Sequence, residues 1–359
     1  MTRILVHGTG GAPAANFIRS LQLAGEPFRI VGIDIDKYNL RRSEADRSYL
    51  MPRVSDAGYG TLYDELMDLE QIEFIHSQID QEISFLAARR ARLPVFLPSD
   101  AAIAICLDKM RSYDTWKAAG VPVPETVLLR EVADLSHAFA SLGPTVWIRE
   151  VVGSGGRNAL PTDNITLARE WIDRHHGWGR FSAARCLTRD TVTWMSIWQQ
   201  GTLVVAQSRR RLYWESANRA PAGVTGITGT GVTCSDPRAT EAAMAAIRAV
   251  DPCPNGIHSI DMTYDAAGLP LVTENNIGRF FTTHLFFAEA GLNMPYIYTC
   301  LGLGRDVPPL PRRINPLPDG LAWIRGMDMT PILTTLEEIE RPVIELQQRL
   351  ERACTPIQP

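Results

Sequence analysis

The sequence predicts an α/β protein that opens with a doubly wound parallel sheet. Three short apolar runs, at residues 4–7, 29–35 and 72–75, have the length of buried strands. A helical spacing of apolar residues at 14–23 separates the first two runs, and a second helical pattern at 81–92 follows the third. Strands that alternate with helices in this way are typical of a parallel sheet with helices on both faces.

Length and composition are those of an ordinary globular protein. The 359 residues leave room for two or three domains at about 100–200 residues each. The net charge is −4 and the isoelectric point is near 6.0, which gives no general attraction to nucleic acid or to an anionic membrane. The sequence contains no run of about 18 apolar residues, the length needed to span a membrane. The six cysteines lack the spacing of a zinc site. We therefore expect a cytoplasmic protein with free thiols that binds neither nucleic acid nor membrane.

The first predicted strand ends in a glycine-rich turn at residues 8–11. This turn is an incomplete dinucleotide fingerprint, because Pro13 takes the place of the third glycine, although Asp34 ends the second strand where a ribose-binding acid would lie. A tight turn between a strand and a helix is the simpler interpretation, and a dehydrogenase is disfavoured.

The pattern changes near residue 100, where Ser99 can cap a helix that starts after Pro98. Beyond this point the alternation of strand and helix is replaced by mixed elements, including a β-hairpin across the turn at 265–268. In chain order we expect a strand at 95–97, a helix at 108–119, strands at 145–149, 192–198 and 203–208, a loop at 225–231, a helix at 239–250, hairpin strands at 257–264 and 269–274, a proline-rich segment at 305–320 and a helix at 336–352.

Three oxygen-bearing side chains on the predicted hairpin could bind a metal ion: Asp261, Glu274 and Asn276. If the two strands pair, Asp261 faces Glu274, and Asn276 shares a face with Glu274 because the strand period is two. Two neighbouring carboxylates repel each other unless a cation lies between them, and hard oxygen ligands suit Mg²⁺. The alternative is a solvated hairpin edge with ordinary surface acids.

Two features could bind phosphate. The glycine-rich loop at 153–156 follows the strand that contains Arg149, and such a loop can present several backbone N–H groups to an anion. Lys109 begins a predicted helix, where the positive end of the helix dipole adds to its charge. No Walker-type GxxxxGK[ST] loop occurs in the chain. The alternatives are a mobile hairpin turn and a solvated surface lysine.

Arg209 and Arg211 lie near the end of a predicted strand, and the alternation of side chains places both on one face. Two arginines on one face could bind a phosphate group or the carboxylate of a substrate. The alternative is a solvated basic edge. The histidines are scattered, and their spacing predicts no Ser/His/Asp or Cys/His arrangement.

The order of these features resembles the ATP-grasp superfamily, in particular the single-chain ligases of its carbamoyl-phosphate-synthase-like branch. The resemblance covers about residues 1–300. It is carried by the strand and turn at 6–11, Asp80 and Glu82 in an Asp-x-Glu element, Asp108-Lys109 followed by the run at 120–126, the loop at 153–156, Asp261 with Glu274 and Asn276 in the metal signature, and Arg279-Phe280 after it.

This resemblance implies an α/β fold of the ATP-grasp (α+β) type, in which a two-lobed ATP-grasp unit follows the N-terminal parallel-sheet domain. The implied domains are an N-terminal Rossmann-like domain at 1–100, a small ATP-binding lobe with the glycine-rich loop at 101–186, a large lobe with the metal site at 187–304, and a C-terminal proline-rich segment and helix at 305–359.

The resemblance also implies ATP and Mg²⁺ as cofactors, with two metal ions that Mn²⁺ can replace. Arg149 stands where many members have lysine, Arg185 stands where most have glutamate, and Thr188-Arg189 replaces a common Pro-Gly turn. The implied roles are as follows: Asp261, Glu274 and Asn276 bind the metal; Lys109, Arg149, Gly153, Ser154, Gly155 and Gly156 bind the phosphates; Arg185, Cys186 and Leu187 bind adenine; Asp190 binds the ribose; and Arg209, Arg211 and Arg279 stabilise the transferred group or bind the substrate carboxylate.

The chemistry implied for such a protein has two steps. A carboxylate is phosphorylated by ATP to an acylphosphate, and an amine then displaces the phosphate, so the expected partners are a small-molecule carboxylate and an amine, with a homodimer as the expected assembly. Three alternatives remain: an enzyme that phosphorylates bicarbonate or carbamate, a carboxylate kinase that releases its acylphosphate, and a degenerate nucleotide-binding protein with a regulatory or scaffolding role.

Overall fold

A computed structural model describes residues 1–153, 155–326 and 332–338, together with residues 340, 341 and 344. The first sheet has four strands, all parallel, in the order β3-β2-β1-β4, which confirms the predicted parallel sheet. Its elements are β1 (Thr2–His7), α1 (Ala12–Gln22), β2 (Phe28–Asp34), α2 (Lys37–Leu40), β3 (Arg47–Leu50), α3 (Tyr59–Glu70) and β4 (Phe74–His76).

Three helices connect this sheet to the rest of the chain: α4 (Asp80–Ala87), α5 (Asp100–Cys106) and α6 (Lys109–Ala118). The predicted cap is confirmed, because the Ser99 hydroxyl accepts a hydrogen bond from the Ala102 N–H at 3.3 Å. The prediction of a strand at 95–97 is wrong. The Val95 N–H turns back to the Leu93 carbonyl, so the segment runs past β4 without forming a ladder.

A second sheet of four antiparallel strands has the order β5-β8-β6-β7. Leu135, Ile148, Ile172 and Phe181 belong to its own buried core, which two helices cover. The elements are β5 (Thr126–Leu129), α7 (Val132–Ser141), β6 (Val146–Glu150), β7 (Leu160–Thr162), α8 (Ile165–Arg174) and β8 (Phe181–Arg185).

The third sheet has seven strands in the order β13-β12-β9-β10-β11-β14-β15, and its neighbouring strands are antiparallel. Trp194 and Trp198 on β9 are fully buried. Its elements are β9 (Thr191–Gln199), β10 (Thr202–Trp214), β11 (Thr228–Thr233), α9 (Pro237–Val250), β12 (Gly256–Tyr264), β13 (Pro270–Ile277), α10 (Leu285–Glu289), α11 (Met294–Gly302), β14 (Leu321–Ile324) and β15 (Ile332–Thr335).

One expectation for this region needs correction, and another falls mostly outside the described residues. The loop expected at 225–231 is wrong for its second half, because residues 228–231 pair with β10 as part of β11. Of the helix expected at 336–352, residues 336–338 are helical, and most of the remainder lies outside the described residues. In the part of the chain that the structure describes, no helix has both the length and the apolar character needed to cross a bilayer.

Candidate active site

The predicted metal ligands lie on one face of the third sheet. Asp261 on β12 is paired with Glu274 on β13, as the hairpin predicted. Asp261 is also paired with Thr193 on β9, and Thr193 with Arg209 on β10. Residues that are directly opposite on neighbouring strands point to the same face. A row of four side chains therefore crosses four strands, with an arginine at one end and the two acids at the other.

Hydrogen bonds hold the Asp261 carboxylate in place. Its Oδ1 accepts a bond from the Thr193 hydroxyl at 2.5 Å, and its Oδ2 accepts one from the Asn276 Nδ2 at 2.9 Å. Asn276 is thus on the acidic face, as expected. Thr193 was not identified from the sequence, because nothing in β9 itself indicates which residue of β12 will lie beside it.

Lys109 lies between the acidic face and the glycine-rich loop. It begins α6, which Asp108 caps by accepting bonds from the Met110 and Arg111 N–H groups at 2.9 and 3.0 Å. The Lys109 Nζ lies 3.3 Å from the Glu274 Oε1 and also donates to the Gly153 carbonyl. The lysine is therefore not a solvated surface residue, since its side chain is only 10% exposed.

Three cations control the charge of Glu274. Burial alone would raise its pKa, but the charges of Lys109, Arg149 and Arg279 together hold the pKa of this carboxyl below its ordinary value. Arg149 reaches the same strand from β6, where its Nη2 donates to the Thr273 carbonyl at 3.1 Å. Glu274 is therefore ionised at neutral pH.

The glycine-rich loop approaches the loop that precedes β11. Gly155 and Gly156 have φ angles of +71° and +67°, which side chains rarely adopt. A Cβ atom on Gly226 would lie 2.7 Å from the Gly155 Cα, and one on Gly156 would lie 2.9 Å from the Val224 carbonyl oxygen. The two backbones are therefore in close contact. Gly153 is the first residue of this loop, and Ser154 lies outside the described residues.

The arginine end of the row is buried. Arg209 is 2% exposed, and its guanidinium lies 4.4 Å from the centre of the Phe281 ring. Its Nε and Nη1 have no hydrogen-bond partner within the described residues. A solvated basic edge is therefore the wrong interpretation for Arg209. Burial lowers its pKa to about 9, which still leaves the side chain charged at neutral pH.

Arg211 lies two residues further along β10, opposite Thr191 on β9. Its guanidinium stacks on Trp214 at 3.5 Å and donates to the hydroxyls of Thr228 and Thr191 at 2.9 and 3.0 Å. Burial lowers its pKa to about 10, so it also remains a cation. The prediction that both arginines share a face is confirmed by the strand register.

Arg279 follows β13 and connects it to the N-terminal sheet. Its Nε donates to the Asp80 Oδ1 at 2.7 Å, and Asp80 begins α4 just after β4. Burial alone would lower the pKa of Arg279, but the Asp80 and Glu274 carboxylates raise it above its ordinary value. The turn into Arg279 is made by Gly278, which has a φ angle of +73°. This ion pair places a fixed cation beside the carboxyl edge of the parallel sheet.

The residues predicted to bind adenine lie where the second sheet gives way to the third. Arg185 ends β8, and its N–H donates to the Glu125 carbonyl at 2.9 Å. The N–H groups of Cys186 and Leu187 make no backbone hydrogen bond within the described part of the chain. Asp190 is exposed immediately before β9. This connection therefore offers unpaired backbone donors between an arginine and an aspartate.

The N-terminal glycine turn is not open to a dinucleotide. The Gly10 N–H donates to the Asp34 Oδ2 at 3.1 Å, so the acid of the partial fingerprint is bonded within the turn. A Cβ atom on Gly10 would lie 1.9 Å from the Asn39 carbonyl oxygen, because the backbone of α2 lies against the turn. The close approach that glycine permits here is used by the protein's own chain, which supports the prediction against a dehydrogenase.

Several solved structures share this fold along most of the chain. A carboxyaminoimidazole ribonucleotide synthase from Aspergillus clavatus, complexed with ATP, has a TM-score of 0.72 at 11% identity and covers 97% of this chain and 99% of its own. An L-amino acid ligase from Bacillus licheniformis has a TM-score of 0.71 at 11% identity, with 97% of each chain covered. A biotin carboxylase from Campylobacter jejuni has a TM-score of 0.67 at 15% identity and covers 89% of this chain and 74% of its own.

The chain therefore has the fold of these structures, the ATP-grasp fold, as the sequence resemblance predicted. Residues 4–95 match the PylC-like N-terminal domain family, which describes the parallel sheet and the segment after it. No curated protein matches the sequence significantly.

Proposed function

We propose that this protein is an ATP- and Mg²⁺-dependent ligase, which activates a carboxylate as an acylphosphate and joins it to an amine. The observation that carries the proposal is the pair of opposed acids, Asp261 and Glu274, with the Lys109 ammonium 3.3 Å from the Glu274 carboxylate. A phosphate-binding cation beside two oxygen ligands suits a metal-bound polyphosphate, since catalysis of phosphoryl transfer depends on positioning and charge neutralisation.

The available ligands fit Mg²⁺ better than a transition metal. Asp261, Glu274 and Asn276 supply two carboxylates and one carboxamide, and Mg²⁺ commonly binds one or two carboxylates while water and phosphate oxygens complete its octahedron. Across the described residues, no group of three or more His, Cys, Asp or Glu side chains is placed to bind a metal, which disfavours a zinc site. When bound, the metal would withdraw charge from the phosphate oxygens. A second ion and replacement by Mn²⁺ are parts of the same proposal.

The remaining residues divide the work of nucleotide binding. Lys109 and Arg149 neutralise the phosphates from the side of α6 and β6, and the glycine-rich loop at 153–156 adds backbone N–H donors. The N–H groups of Cys186 and Leu187 bind the base beside Arg185, and Asp190 binds the ribose. All these roles are proposed from the positions of the residues and from the fold.

The reaction needs no side-chain nucleophile. In the first step a carboxylate oxygen bonds to the γ-phosphorus, and the bond from that phosphorus to the ADP oxygen breaks. In the second step an amine nitrogen attacks the acyl carbon, the carbon–oxygen bond to phosphate breaks, and the nitrogen loses a proton. Arg209, Arg211 and Arg279 are placed to neutralise the transferred group or the substrate carboxylate, because all three remain cations at neutral pH.

The neighbouring structures support the same class of reaction. One was solved with ATP, another with MgADP and bicarbonate as a dimer, and a third is an L-amino acid ligase. By analogy we propose small-molecule substrates for this chain and a homodimer as its assembly. The cytoplasmic location expected from the sequence stays a prediction.

A panel of acid and amine pairs tests the proposal. The purified protein is incubated with ATP, Mg²⁺ and each pair; ADP formation is followed by a coupled assay and the condensed product by mass spectrometry. We expect at least one pair to stimulate ADP formation and to give a product that lacks one water. Asp261→Asn should abolish both signals, whereas Asp306→Asn, at an exposed position away from the row, should leave them unchanged.

The same assay separates the alternatives. Stimulation by bicarbonate alone would indicate a carboxyphosphate-forming enzyme, and a hydroxamate trapped by hydroxylamine without an amine product would indicate a carboxylate kinase. If no acid stimulates ADP formation and Asp261→Asn binds ADP as the parent protein does, the ligase proposal fails in favour of a degenerate nucleotide-binding protein.

A further inference from the structure

A buried polar cluster lies directly behind the proposed metal site. Asn275 stands between Glu274 and Asn276 on β13, so its side chain points to the opposite face, into the core, where it is 3% exposed. Its Nδ2 lies 3.3 Å from the Cys106 Sγ and 3.1 Å from the His258 Nδ1. A carboxamide in a protein core is costly unless it is hydrogen-bonded, and these two contacts supply partners for its Nδ2. A polar side chain at this core position therefore needs an explanation.

The two partners of Asn275 belong to the segments that carry the rest of the site. Cys106 is the last residue of α5 and precedes Lys109 by three residues, and His258 precedes Asp261 by three residues on β12. One carboxamide thus joins the strand of Glu274 to both the turn that carries Lys109 and the strand that carries Asp261. The joined segments supply every proposed metal ligand and the lysine beside them.

The cluster is not a second catalytic centre, although it contains a cysteine, a histidine and an asparagine. All three side chains are buried. Burial raises the pKa of the Cys106 thiol to about 12 and lowers that of His258 to about 4, so the pair is a neutral thiol and a neutral imidazole at neutral pH. A thiolate nucleophile is therefore absent from this cluster. What the cluster can do is hold three segments together.

We propose that Asn275 is a positioning residue for the metal–nucleotide site. Its two hydrogen bonds fix the distance between Lys109, Glu274 and Asp261, so that a metal-bound phosphate meets the cation and the carboxylates in one geometry. Hydrogen bonds made directly to metal ligands typically change metal affinity by about 10- to 100-fold when they are removed, and those of Asn275 act one step further out, on the segments that carry the ligands. The inference rests on the proposed function, because it assumes that the site binds a metal–nucleotide complex.

Two substitutions replace hydrogen-bonding groups of the cluster by apolar side chains. Asn275→Leu deletes the carboxamide, and Cys106→Val deletes one acceptor while leaving Asn275 in place. Cys106→Ser keeps an acceptor and should behave as the parent protein does. Tyr298→Phe is the matched control, because it also deletes a buried hydrogen bond, from the Tyr298 hydroxyl to the Phe96 carbonyl at 2.9 Å, outside the cluster.

The measurement is ADP binding by calorimetry, with Mg²⁺ and with EDTA, alongside thermal unfolding of each variant. We expect Asn275→Leu to lose about tenfold, the low end of that range, in affinity for ADP with Mg²⁺ and much less with EDTA. Cys106→Val should show a smaller loss of the same kind. Tyr298→Phe should lower the unfolding temperature without changing the effect of Mg²⁺. If Asn275→Leu does not fold, Cys106→Val and Cys106→Ser carry the comparison.

The outcomes distinguish the two proposals. If the parent protein binds ADP but Mg²⁺ enhances binding equally in the parent and in the variants that lack the hydrogen bonds, the positioning role of Asn275 is overturned and the proposed function stands. An equal loss in Tyr298→Phe would also overturn it, because the effect would then be general destabilisation. If the parent protein binds no ADP with Mg²⁺, the proposed function fails, and the positioning role of Asn275 fails with it because it depends on that function.

Discussion

Replacing Lys109 by methionine should weaken ATP binding while the fold is preserved. The side chain is largely buried, and its ammonium contacts the Glu274 carboxylate at 3.3 Å and the Gly153 carbonyl, so its position is fixed before the nucleotide arrives. A hydrogen bond to a charged group contributes about 1.5–3 kcal/mol. At about 1.4 kcal/mol for each factor of ten, losing one such bond to phosphate lowers affinity by about 10- to 150-fold.

The assay is calorimetric titration of ADP and Mg²⁺ into Lys109→Met, with Lys117→Met as the matched control. Lys117 lies on the same helix and is also paired with a glutamate, Glu125 at 2.7 Å, but both side chains are about half exposed. Such exposed pairs contribute little to stability. We expect the control to bind as the parent protein does. Equal affinity in Lys109→Met and the parent, or an equal loss in both variants, would refute the assignment of Lys109 to the phosphates.

Three further predictions concern the charges around the row. Thr193→Val removes the hydroxyl that bonds Asp261 at 2.5 Å, so the Mg²⁺ concentration needed for half-maximal ATP turnover should rise about tenfold; an unchanged value would contradict the role of this bond. Asp80→Asn weakens the 2.7 Å contact to Arg279. We expect kcat to fall by a larger factor than that by which the KM for ATP changes, and steady-state kinetics measures both. The pKa of Glu274 is lowered in the folded protein from its ordinary value of 4.5, so the stability it provides is present above that pH and is lost as the pH falls below it; urea unfolding should show a smaller acid-induced loss in Glu274→Gln, and identical profiles would be evidence against it.

The parts of the site that follow from local sequence were predictable. The turn at 265–268 indicated a hairpin, and pairing across it placed Asp261 opposite Glu274, as the structure has it. The helix expected at 108–119 is α6, which begins at Lys109 and is capped by Asp108. In both cases the signal and the structure it determines lie within a few residues, so no knowledge of the tertiary fold was needed.

The parts that depend on distant pairing were not predictable from the residues. Thr193 meets Asp261 across 68 positions, and Asp80 meets Arg279 across 199. A one-residue slip of β9 would move Thr193 to the other face, and nothing within that strand specifies the register. The burial of Arg209 has the same origin. The sequence left open whether this arginine binds an anion or lies on a solvated edge, because Phe281, which covers it, lies far along the chain.

This difference between contacts close in sequence and contacts far apart in sequence explains what could be predicted. The residues proposed to bind the nucleotide could be predicted from the sequence, and the substrates could not. The proposed contacts to metal and phosphate come from one hairpin, one helix start, and one strand with the glycine-rich loop that follows it, and their residue types follow from the chemistry of Mg²⁺ and phosphate. The substrate would meet Arg279, Arg209 and the carboxyl edge of the parallel sheet, which separate elements bring together. An arginine there binds any carboxylate or phosphate alike, so the identity of the acid and the amine depends on the shape of a surface that the first and third sheets build jointly.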